Sequence, residues 1–484
     1  MKHFLHRREV PVLLILFLLL VSPGPARAAF TTDDEKKLGK EFYEKLDASD
    51  VLIKDPLVNN YISALGTKIL SQGHKAPFEF RFSVIRNSAV NAFATPGGYV
   101  YVNRGLVTLV ENESELASVL AHEIAHVNAR HIAQIIDKST KINIAALAAI
   151  LAGAFLGASG EVSAAITGFS MAAATTMTLK YSREHEEEAD RLGMTYLVGA
   201  GYDGRAMLEF LKMMRRYEFY SNSIPSYFLT HPGTDERIQY LDAMIATGKK
   251  TNGASSIIGK LKRIQTALLV RETDPASSLK RFLDNLKKNP DDADDLYGLA
   301  LTQEKLGLIP ESQESFRKAL KSAPEDADIL RDMGISFFRI GNAESAVSCL
   351  EKAYRIDDGD VEMIIYLGRA YDAAGRYATA LDFFKKAEKK KPEDADIHYN
   401  LAVAYGKTNS PGESHYHFGI YFKKKNKLES ALFHFQAALR SFPEGDARAR
   451  DIEGEIASLK EKERPRPTAG PPAPDGRNRG RSFP

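Results

Sequence analysis

Cysteine is nearly absent from this sequence, since Cys349 is the single one among 484 residues. One cysteine cannot form an intramolecular disulfide, which excludes a disulfide-stabilised scaffold. Cys349 lies on the apolar face of a predicted helix, which is typical of a core position. A strong charge of either sign is also absent, because the formal net charge is +2 at pH 7. This balance gives no reason to expect nucleic acid or another polyanion as a partner.

Long apolar runs are few, and the first lies near the N-terminus. Residues 12–21 are uninterrupted apolar residues between a basic segment and the small-x-small tripeptide at 26–28, an order typical of an export signal. The run is short for a membrane span, and the Pro-Gly-Pro at 23–25 would break a longer helix. We expect residues 1–28 to be a signal peptide cleaved after Ala28, with an uncleaved anchor as the alternative. No cysteine lies near this cleavage site, which argues against a lipid-anchored N-terminus.

Two further apolar runs, 142–158 and 164–179, are rich in alanine and glycine. Each run is marginal in length for a membrane span. Three interpretations are open at this stage: a buried helical hairpin, a hairpin that touches a membrane beside the site described below, and transmembrane helices. Peripheral membrane contact by residues 142–179 therefore stays among the expectations.

After the signal, the sequence pattern predicts helices followed by short strands. Residues 32–35 predict an N-terminal cap for a helix through Leu46, and apolar residues at helical spacing predict a second helix over 56–71. Alternation over 78–84 and an apolar stretch at 99–102 predict two strands, the second preceded by Gly-Gly. An edge strand here could bind an extended peptide by main-chain hydrogen bonds. The alternative is a strand that only packs the core.

The chemistry of this half centres on His122, Glu123 and His126, which form the pattern H-E-x-x-H. Residues four apart lie on one face of a helix, so both imidazoles can reach one Zn²⁺ at about 2.0–2.1 Å. Glu123 points beside the metal and suits a general base that activates water. The alternative is a helix with two surface histidines, but the flanking residues are apolar, and buried histidines need partners. Arg130 and His131, which extend this helix, are interpreted as support rather than ligands.

An acidic run follows at 184–190, in which Glu186 and Asp190 again lie four residues apart. Glu186 is a candidate third ligand, which would give a His₂Glu set with an open position, the catalytic type of zinc site. Asp190 could accept the free N–H of a ligand histidine and fix its tautomer. The alternative is a solvated acidic run.

H-E-x-x-H followed by E-x-x-x-D resembles the M48 family of zinc metallopeptidases, and the resemblance covers about residues 30–245. Further matching segments are 91–98, Arg104-Gly105-Leu106, Ser182-Arg183 and Phe228-Leu229-Thr230-His231-Pro232, with Arg237 six residues after His231. The resemblance implies that His122, His126 and Glu186 bind one Zn²⁺ per chain.

The same resemblance implies roles for residues around the metal. Glu123 would be the catalytic base, and Asp190 would be a carboxylate behind the ligands. His231 would lie at the mouth of the site, where it can cap the metal or contact the substrate. Arg237 would help to stabilise the tetrahedral oxyanion. The tripeptide around His231 is also simply a helix-start signal, which leaves a structural role open.

From about residue 255 the sequence repeats with a period of 34 residues and resembles the tetratricopeptide repeat, a pair of packed helices. Equivalent positions hold Ala300, Gly334 and Gly368; Gly307, Gly341 and Gly375; Ala319, Ala353 and Ala387; and Phe316, Leu350 and Phe384. The frame slips by about half a repeat near Pro411, and about five units are expected from that period. Such an array offers a concave protein-binding surface, with a spacer or cap as the alternative. Residues 463–484, rich in Pro, Gly and Arg, predict a disordered tail.

With 484 residues, the chain is expected to contain more than one domain. The expected fold class is α+β and mainly helical. A zincin-like metallopeptidase domain with a small sheet is expected over 29–250. An all-α tetratricopeptide solenoid is expected over 255–462.

This layout also resembles exported proteases of Gram-negative bacteria that assist or police outer-membrane β-barrel assembly. The first hypothesis is a periplasmic zinc endopeptidase, associated with the outer membrane, that hydrolyses protein or peptide substrates. Its repeats would engage the outer-membrane protein assembly machinery. The second hypothesis is a chaperone or adaptor in which His231 closes the metal position and the repeats act alone. Fold does not identify the client.

Overall fold

The computed structural model describes residues 30–73, 77–137, 144–156, 180–221, 224–247, 252–443 and 446–463. The expected signal peptide lies outside these residues, and so does the expected tail apart from residue 463 at the end of a helix. The chain forms two compact units that divide between Glu272 and Thr273.

The first unit is mainly helical and contains one small sheet. Its helices are α1 (Thr32–Ala48), α2 (Pro56–Leu70), α3 (Arg104–Leu109), α4 (Glu113–Asn128), α5 (His131–Asp137), α6 (Ile144–Phe155), α7 (Arg183–Gly199), α8 (Arg205–Ser221), α9 (Ser226–Thr230), α10 (Thr234–Thr247) and α11 (Leu261–Glu272). Helix α1 begins with a capping box one residue earlier than residues 32–35 predict, in which Thr31 and Asp34 each bind the other's backbone N–H. Helix α2 begins at Pro56, as its spacing predicts, with Asp55 as the N-cap.

The sheet has three strands, β1 (Arg81–Ile85), β2 (Ala92–Thr95) and β3 (Tyr99–Asn103), in the order β1-β3-β2. β1 pairs with β3 in parallel, and β2 pairs with β3 antiparallel, with Ala94 opposite Val100. The sequence pattern predicts β1 and β3, whereas β2 is an additional strand within the segment before the Gly-Gly turn. β2 lies at an edge of the sheet and packs against α4.

Helix α4 is the central element of the first unit, because it is buried from Glu113 to Val127. It contacts α2, α7, α8 and both β2 and β3. Its apolar residues are not confined to one face, which is the pattern of a helix buried on all sides. Asn112 caps its N-terminus by accepting the N–H of Glu115 at 3.1 Å. A helix held in this way offers rigid positions for the side chains of its third turn.

The first residue of α4, Glu113, ties a distant segment to this helix. Its carboxylate accepts the backbone N–H groups of residues 257–259 at 2.7–2.8 Å. The hydroxyls of Tyr202 and Tyr61 donate to it at 2.8 and 3.2 Å. Burial would raise the pKa of this carboxyl, but these hydrogen bonds lower it below its ordinary value.

Helix α6 forms most of the first of the two apolar runs. It packs against α1, with Leu147 and Leu151 buried. The ring of Phe155 stacks on that of Phe93 with centroids 4.8 Å apart. Among the residues that the structure describes, no helix has both the length and the apolar character needed to cross a membrane. The second run, 164–179, lies outside the described residues, so membrane contact by 142–179 stays a prediction.

Helix α11 belongs to the first unit, although the sequence pattern places the start of the repeats at about 255. Ile264 and Leu268 are buried in the same core as α4. The side chain of Gln265 donates to the backbone oxygens of Val107 and Val110 at 3.0 and 2.9 Å. An amphipathic pattern shows that a helix has an apolar face but not which neighbour covers it.

The second unit consists of helix pairs. Its helices are α12 (Pro275–Lys288), α13 (Ala293–Lys305), α14 (Ile309–Ser322), α15 (Ala327–Arg339), α16 (Ala343–Ile356), α17 (Val361–Ala373), α18 (Tyr377–Lys390), α19 (Ala395–Lys407), α20 (Pro411–Lys424), α21 (Leu428–Leu439) and α22 (Ala447–Glu463). Each helix packs on the next along the chain, with α20 contacting both α19 and α21. This is the architecture expected of stacked repeats.

The turns of the second unit show where the repeat frame changes. Gly307, Gly341 and Gly375 adopt φ of 76, 79 and 75°, and Asn409 takes the same place with φ 57°. The next left-handed residue is Asn426, with φ 56°. It comes 17 residues after Asn409, which is half of the 34-residue period. The predicted slip therefore occurs within α20.

Candidate metal centre

Two helices bring the predicted metal-site residues together. α4 carries His122, Glu123 and His126, α7 carries Glu186 and Asp190, and all five side chains are buried. The helices approach closely at Gly193 of α7, where an added Cβ would lie 3.1 Å from the backbone nitrogen of His122. A larger residue would push the helices apart, because neither backbone can yield without disturbing the packed core.

Four candidate ligand atoms converge on one point. The Nε2 atoms of His122 and His126 lie 2.9 Å apart, and each lies 3.5 Å from an oxygen of Glu186. The Nδ1 atom of His231 lies 3.3 Å from Nε2 of His122 and 3.1 Å from Oε1 of Glu186. Ligands about 2.0–2.1 Å from a tetrahedral ion are separated by roughly 3.3 Å. The donor set and its spacing therefore fit a zinc ion.

The protonation of the ring nitrogens agrees with this fit. Burial and the neighbouring His122 lower the pKa of His126 well below its ordinary value, so that ring is neutral. Burial and Arg237 lower the pKa of His122, but Asp190 and Glu186 outweigh them and raise it to about 9. His122 would carry a second proton in the absence of a cation, and a bound cation would take the place of that proton.

Glu123 lies beside the cluster with a buried carboxylate. Neither of its oxygens has a hydrogen-bond partner among the described residues, and Oε1 lies 3.4 Å from Nε2 of His231. Burial raises the pKa of Glu123, although His231 and His122 oppose the rise. A buried carboxylate without a partner is costly. Proteins retain such a carboxylate mainly at functional sites, for example as a general base.

Asp190 orients His122. Its Oδ1 accepts the Nδ1–H of His122 at 2.8 Å, so Nε2 is the nitrogen of that ring that can bind a metal. Arg237 donates to both oxygens of Asp190 at 2.7 and 2.8 Å, and the hydroxyl of Tyr240 donates to Oδ2. Burial alone would raise the pKa of Asp190, but Arg237 and His122 lower it well below its ordinary range.

A second chain of contacts orients His126. Nε2 of His131 faces the Glu188 carboxylate at 3.2 Å, and Nδ1 of His131 faces Nδ1 of His126 at 2.9 Å. If His131 donates to Glu188, its Nδ1 accepts from His126, and Nε2 of His126 is free for a metal. Arg130, with φ 55°, makes the turn that carries His131 back to the end of α4. The sequence interpretation of Arg130 and His131 as support did not include Glu188, which is one of three consecutive glutamates.

Two tyrosine rings stack on histidines of the site. Tyr181 stacks on His126 with ring centroids 3.8 Å apart, and Tyr227 stacks on His231 at 4.4 Å. Both tyrosines are buried. The sequence pattern does not identify either tyrosine, since no spacing rule links a tyrosine to a distant histidine.

His231 and Arg237 come from the chain that follows α8. His231 is the residue after α9, and it is completely buried. Arg237, in α10, is buried with its guanidinium on Asp190 and 2.6 Å from Oε2 of Glu186. Its charge is therefore engaged by two carboxylates, and its role as an oxyanion donor stays a prediction.

Comparison with known protein families identifies the two halves of the chain independently of the site geometry. Residues 56–245 match the family model described as Peptidase family M48. Residues 297–361 match a tetratricopeptide repeat model, and residues 368–409 match a second repeat model.

Curated relatives match over less than half of the chain. The beta-barrel assembly-enhancing protease of Escherichia coli strain K12 is 35% identical over 217 residues, 44% of each chain. The protein of the same name from Yersinia pestis is 34% identical over 215 residues, also 44% of each chain. The mitochondrial metalloendopeptidase OMA1 of Schizosaccharomyces pombe is 29% identical over 213 residues, 43% of this chain and 60% of that protein. The match spans less than half the length of the two bacterial relatives. The family model and these relatives agree, and residues 56–245 belong to peptidase family M48, followed along the chain by tetratricopeptide repeats.

Proposed function

We propose that this chain is an exported zinc-dependent endopeptidase that cleaves client proteins in outer-membrane protein assembly or quality control. The observation that carries the proposal is the convergence of His122, His126 and Glu186 beside the buried carboxylate of Glu123. The names of the bacterial relatives support the choice of outer-membrane clients. The repeats support a protein partner, for which the outer-membrane assembly machinery is the candidate.

Each residue of the site would have a distinct role in peptide hydrolysis. A zinc ion held by His122, His126 and Glu186 would polarise the scissile carbonyl and the attacking water. Glu123 takes a proton from that water, and burial, which raises the pKa of its carboxyl, strengthens it as a base. The same carboxyl then returns the proton to the departing amide nitrogen. Asp190 keeps the lone pair of His122 aimed at the ligand position throughout.

The surroundings of His126 support an extended substrate. A small partly open pocket adjoins the end of β2, and residues 94–96, His126 and Tyr181 are part of its lining. β2 is an edge strand, so a peptide that lies along it would pass the candidate ligands. Only an unfolded segment can take this conformation, which favours misassembled clients over folded ones.

His231 supports a second candidate function, that of a repeat-based chaperone or adaptor with a latent protease site. Its Nδ1 lies among the other three ligand atoms and could complete a tetrahedral set. A site with four protein ligands has no open position, which is the arrangement of structural zinc sites. In this case client binding by the repeats would be the main activity.

The two functions are distinguished by Glu123→Gln in the full chain. The endopeptidase proposal expects the wild type to cleave an unfolded outer-membrane β-barrel protein, and expects Glu123→Gln to retain zinc but not to cleave. A purified wild type that never cleaves any client, together with a fully functional Glu123→Gln strain, would support the adaptor instead. A companion deletion of the repeats should begin at Thr273 rather than at 255, because α11 is part of the first unit.

The export proposal has its own test. The intact mass of the protein from cells should lack residues 1–28, and the protein should fractionate with the periplasm, in part with the outer membrane. An intact N-terminus on protein that stays in the cytoplasm would contradict it.

A further inference from the structure

The repeat unit contains a second cluster of metal-ligating side chains. Glu388 of α18, His398 of α19 and His417 of α20 place one ligand atom each within 4.8 Å of the others. Within the described residues there are two such clusters, this one and the cluster of His122, His126, Glu186 and His231. The sequence pattern of the repeats gives no reason for it, because repeat cores are apolar.

Comparison with equivalent positions in the other repeats shows that the polar residues of this cluster replace apolar or aromatic ones. His398 occupies the position that Leu296, Leu330 and Ile364 hold in the preceding repeats, and it is 4% exposed, in the same range as those apolar residues. Glu388 likewise follows Tyr354 by one period of 34 residues. Placing polar groups at core positions is costly unless partners satisfy them. The cluster therefore needs a physical explanation that packing does not supply.

The geometry fits a metal ion. The Nδ1 atoms of His398 and His417 lie 3.1 Å apart. Oε1 of Glu388 lies 3.6 and 3.8 Å from these two nitrogens. These separations bracket the roughly 3.3 Å expected between ligands of a tetrahedral zinc ion. The Glu388 side chain is 31% exposed, which leaves a path for the ion to enter.

The outer nitrogens of both rings have acceptors nearby. Nε2 of His398 faces the backbone oxygen of Pro392 at 2.9 Å, so it carries the proton and leaves a lone pair on Nδ1. Nε2 of His417 lies 3.9 Å from Oε2 of Glu413, which is buried and has no hydrogen-bond partner among the described residues. A proton on this Nε2 would likewise leave the lone pair of Nδ1 for a metal. The other oxygen of Glu413 is held by Arg448 at 3.2 Å.

We propose that Glu388, His398 and His417 form a second Zn²⁺ site that cross-links α18, α19 and α20 where the repeat frame slips. The site is independent of the peptidase proposal and raises the zinc capacity above the one ion per chain expected from the sequence. The competing explanation is a hydrogen bond in which Nδ1–H of His417 donates to Nδ1 of His398. That explanation requires no role for Glu388.

The test uses the full chain and compares wild type with Glu388→Gln and His417→Gln. Glu388→Gln keeps the shape of a partly exposed side chain, so it should fold even if the buried His417→Gln does not. His415→Gln is the matched control, because His415 lies on α20 two residues away and pairs with His434 instead. Each protein is saturated with Zn²⁺ and desalted, its zinc is counted, and its urea unfolding is followed with and without Zn²⁺.

Both test variants should hold one zinc fewer per chain than wild type and His415→Gln, with affinity at this site reduced at least about tenfold. Zinc should also raise the urea midpoint of the repeat unit in wild type but not in the variants. Equal zinc content in wild type and Glu388→Gln would overturn the proposal, and so would loss of the ion in His415→Gln. Failure of the peptidase proposal would instead show in Glu186→Ala, which leaves the comparison between wild type and Glu388→Gln intact.

Discussion

Oδ1 of Asp190 accepts a hydrogen bond from Nδ1 of His122 at 2.8 Å, and this contact decides which nitrogen of the ring faces the ligand position. Asp190→Asn keeps the shape but removes the charge that holds this tautomer and pairs with Arg237. We expect zinc affinity to fall about 10- to 100-fold, as when other carboxylates behind metal-bound histidines are replaced. Competition with a chromophoric chelator measures this affinity, and Glu187→Gln on the exposed side of α7 is the control. Unchanged affinity in Asp190→Asn would show that the contact does not support the site.

Glu123→Gln should separate catalysis from metal binding. The substitution removes the proton acceptor while leaving His122, His126 and Glu186 in place. The hydrolysis rate should fall by at least about 100-fold, the lower limit for loss of a general base, with zinc content unchanged. A variant with the same kcat as wild type would remove Glu123 from the mechanism.

His231→Ala tests whether this histidine closes the metal position. His231 supplies the fourth ligand atom of the cluster, so its removal should open a coordination position while three protein ligands remain. We expect cleavage of an unstructured protein to become faster and zinc to be held more weakly. Slower cleavage with unchanged zinc affinity would instead assign His231 to substrate contact.

Glu113 makes the stability of the first unit depend on pH. The folded state lowers the pKa of this carboxyl, so its contribution is present above the unfolded value of about 4.3 and is lost as the pH falls through the folded pKa. Glu113→Gln should therefore lower the free energy of unfolding by about 2 kcal/mol at pH 7, and by less in acid. Urea unfolding of wild type and Glu113→Gln, at pH 7 and at an acidic pH below the folded pKa of Glu113, measures the loss at each pH. Exposed Glu111→Gln is the control. The same loss at both pH values would exclude the charge as the cause.

Residue spacing predicts the parts of the site that lie on one helix, whereas the meeting of His122 and His126 with Glu186 and His231 follows only from the family resemblance. The four-residue spacings of His122 with His126 and of Glu186 with Asp190 put each pair on one helix face. The link from His126 through His131 to Glu188 follows from the turn at Arg130, and no spacing rule identifies it. The strand β2 is short and lies in a segment of small residues, so alternation does not reveal it.

In the repeat half as well, the sequence predicts local structure but not which helices pack together. The 34-residue period predicts the helix pairs and the turn glycines, because each repeat carries the same local contacts. It does not predict that α11 packs on the first unit, since an amphipathic helix does not specify its partner. Nor does it predict that His398 and His417 meet, because they occupy different helices after the frame has begun to change.

The central claim, that α4 and α7 together hold one zinc ion for hydrolysis, is tested most directly by the zinc content of Glu186→Ala. The matched control is Glu187→Ala, the neighbouring residue, which is exposed and pairs with Arg191. Loss of one of three protein ligands should lower the zinc content by one ion per chain relative to wild type and should abolish cleavage, while Glu187→Ala changes neither. An undiminished zinc content in Glu186→Ala, with cleavage retained, would contradict the account.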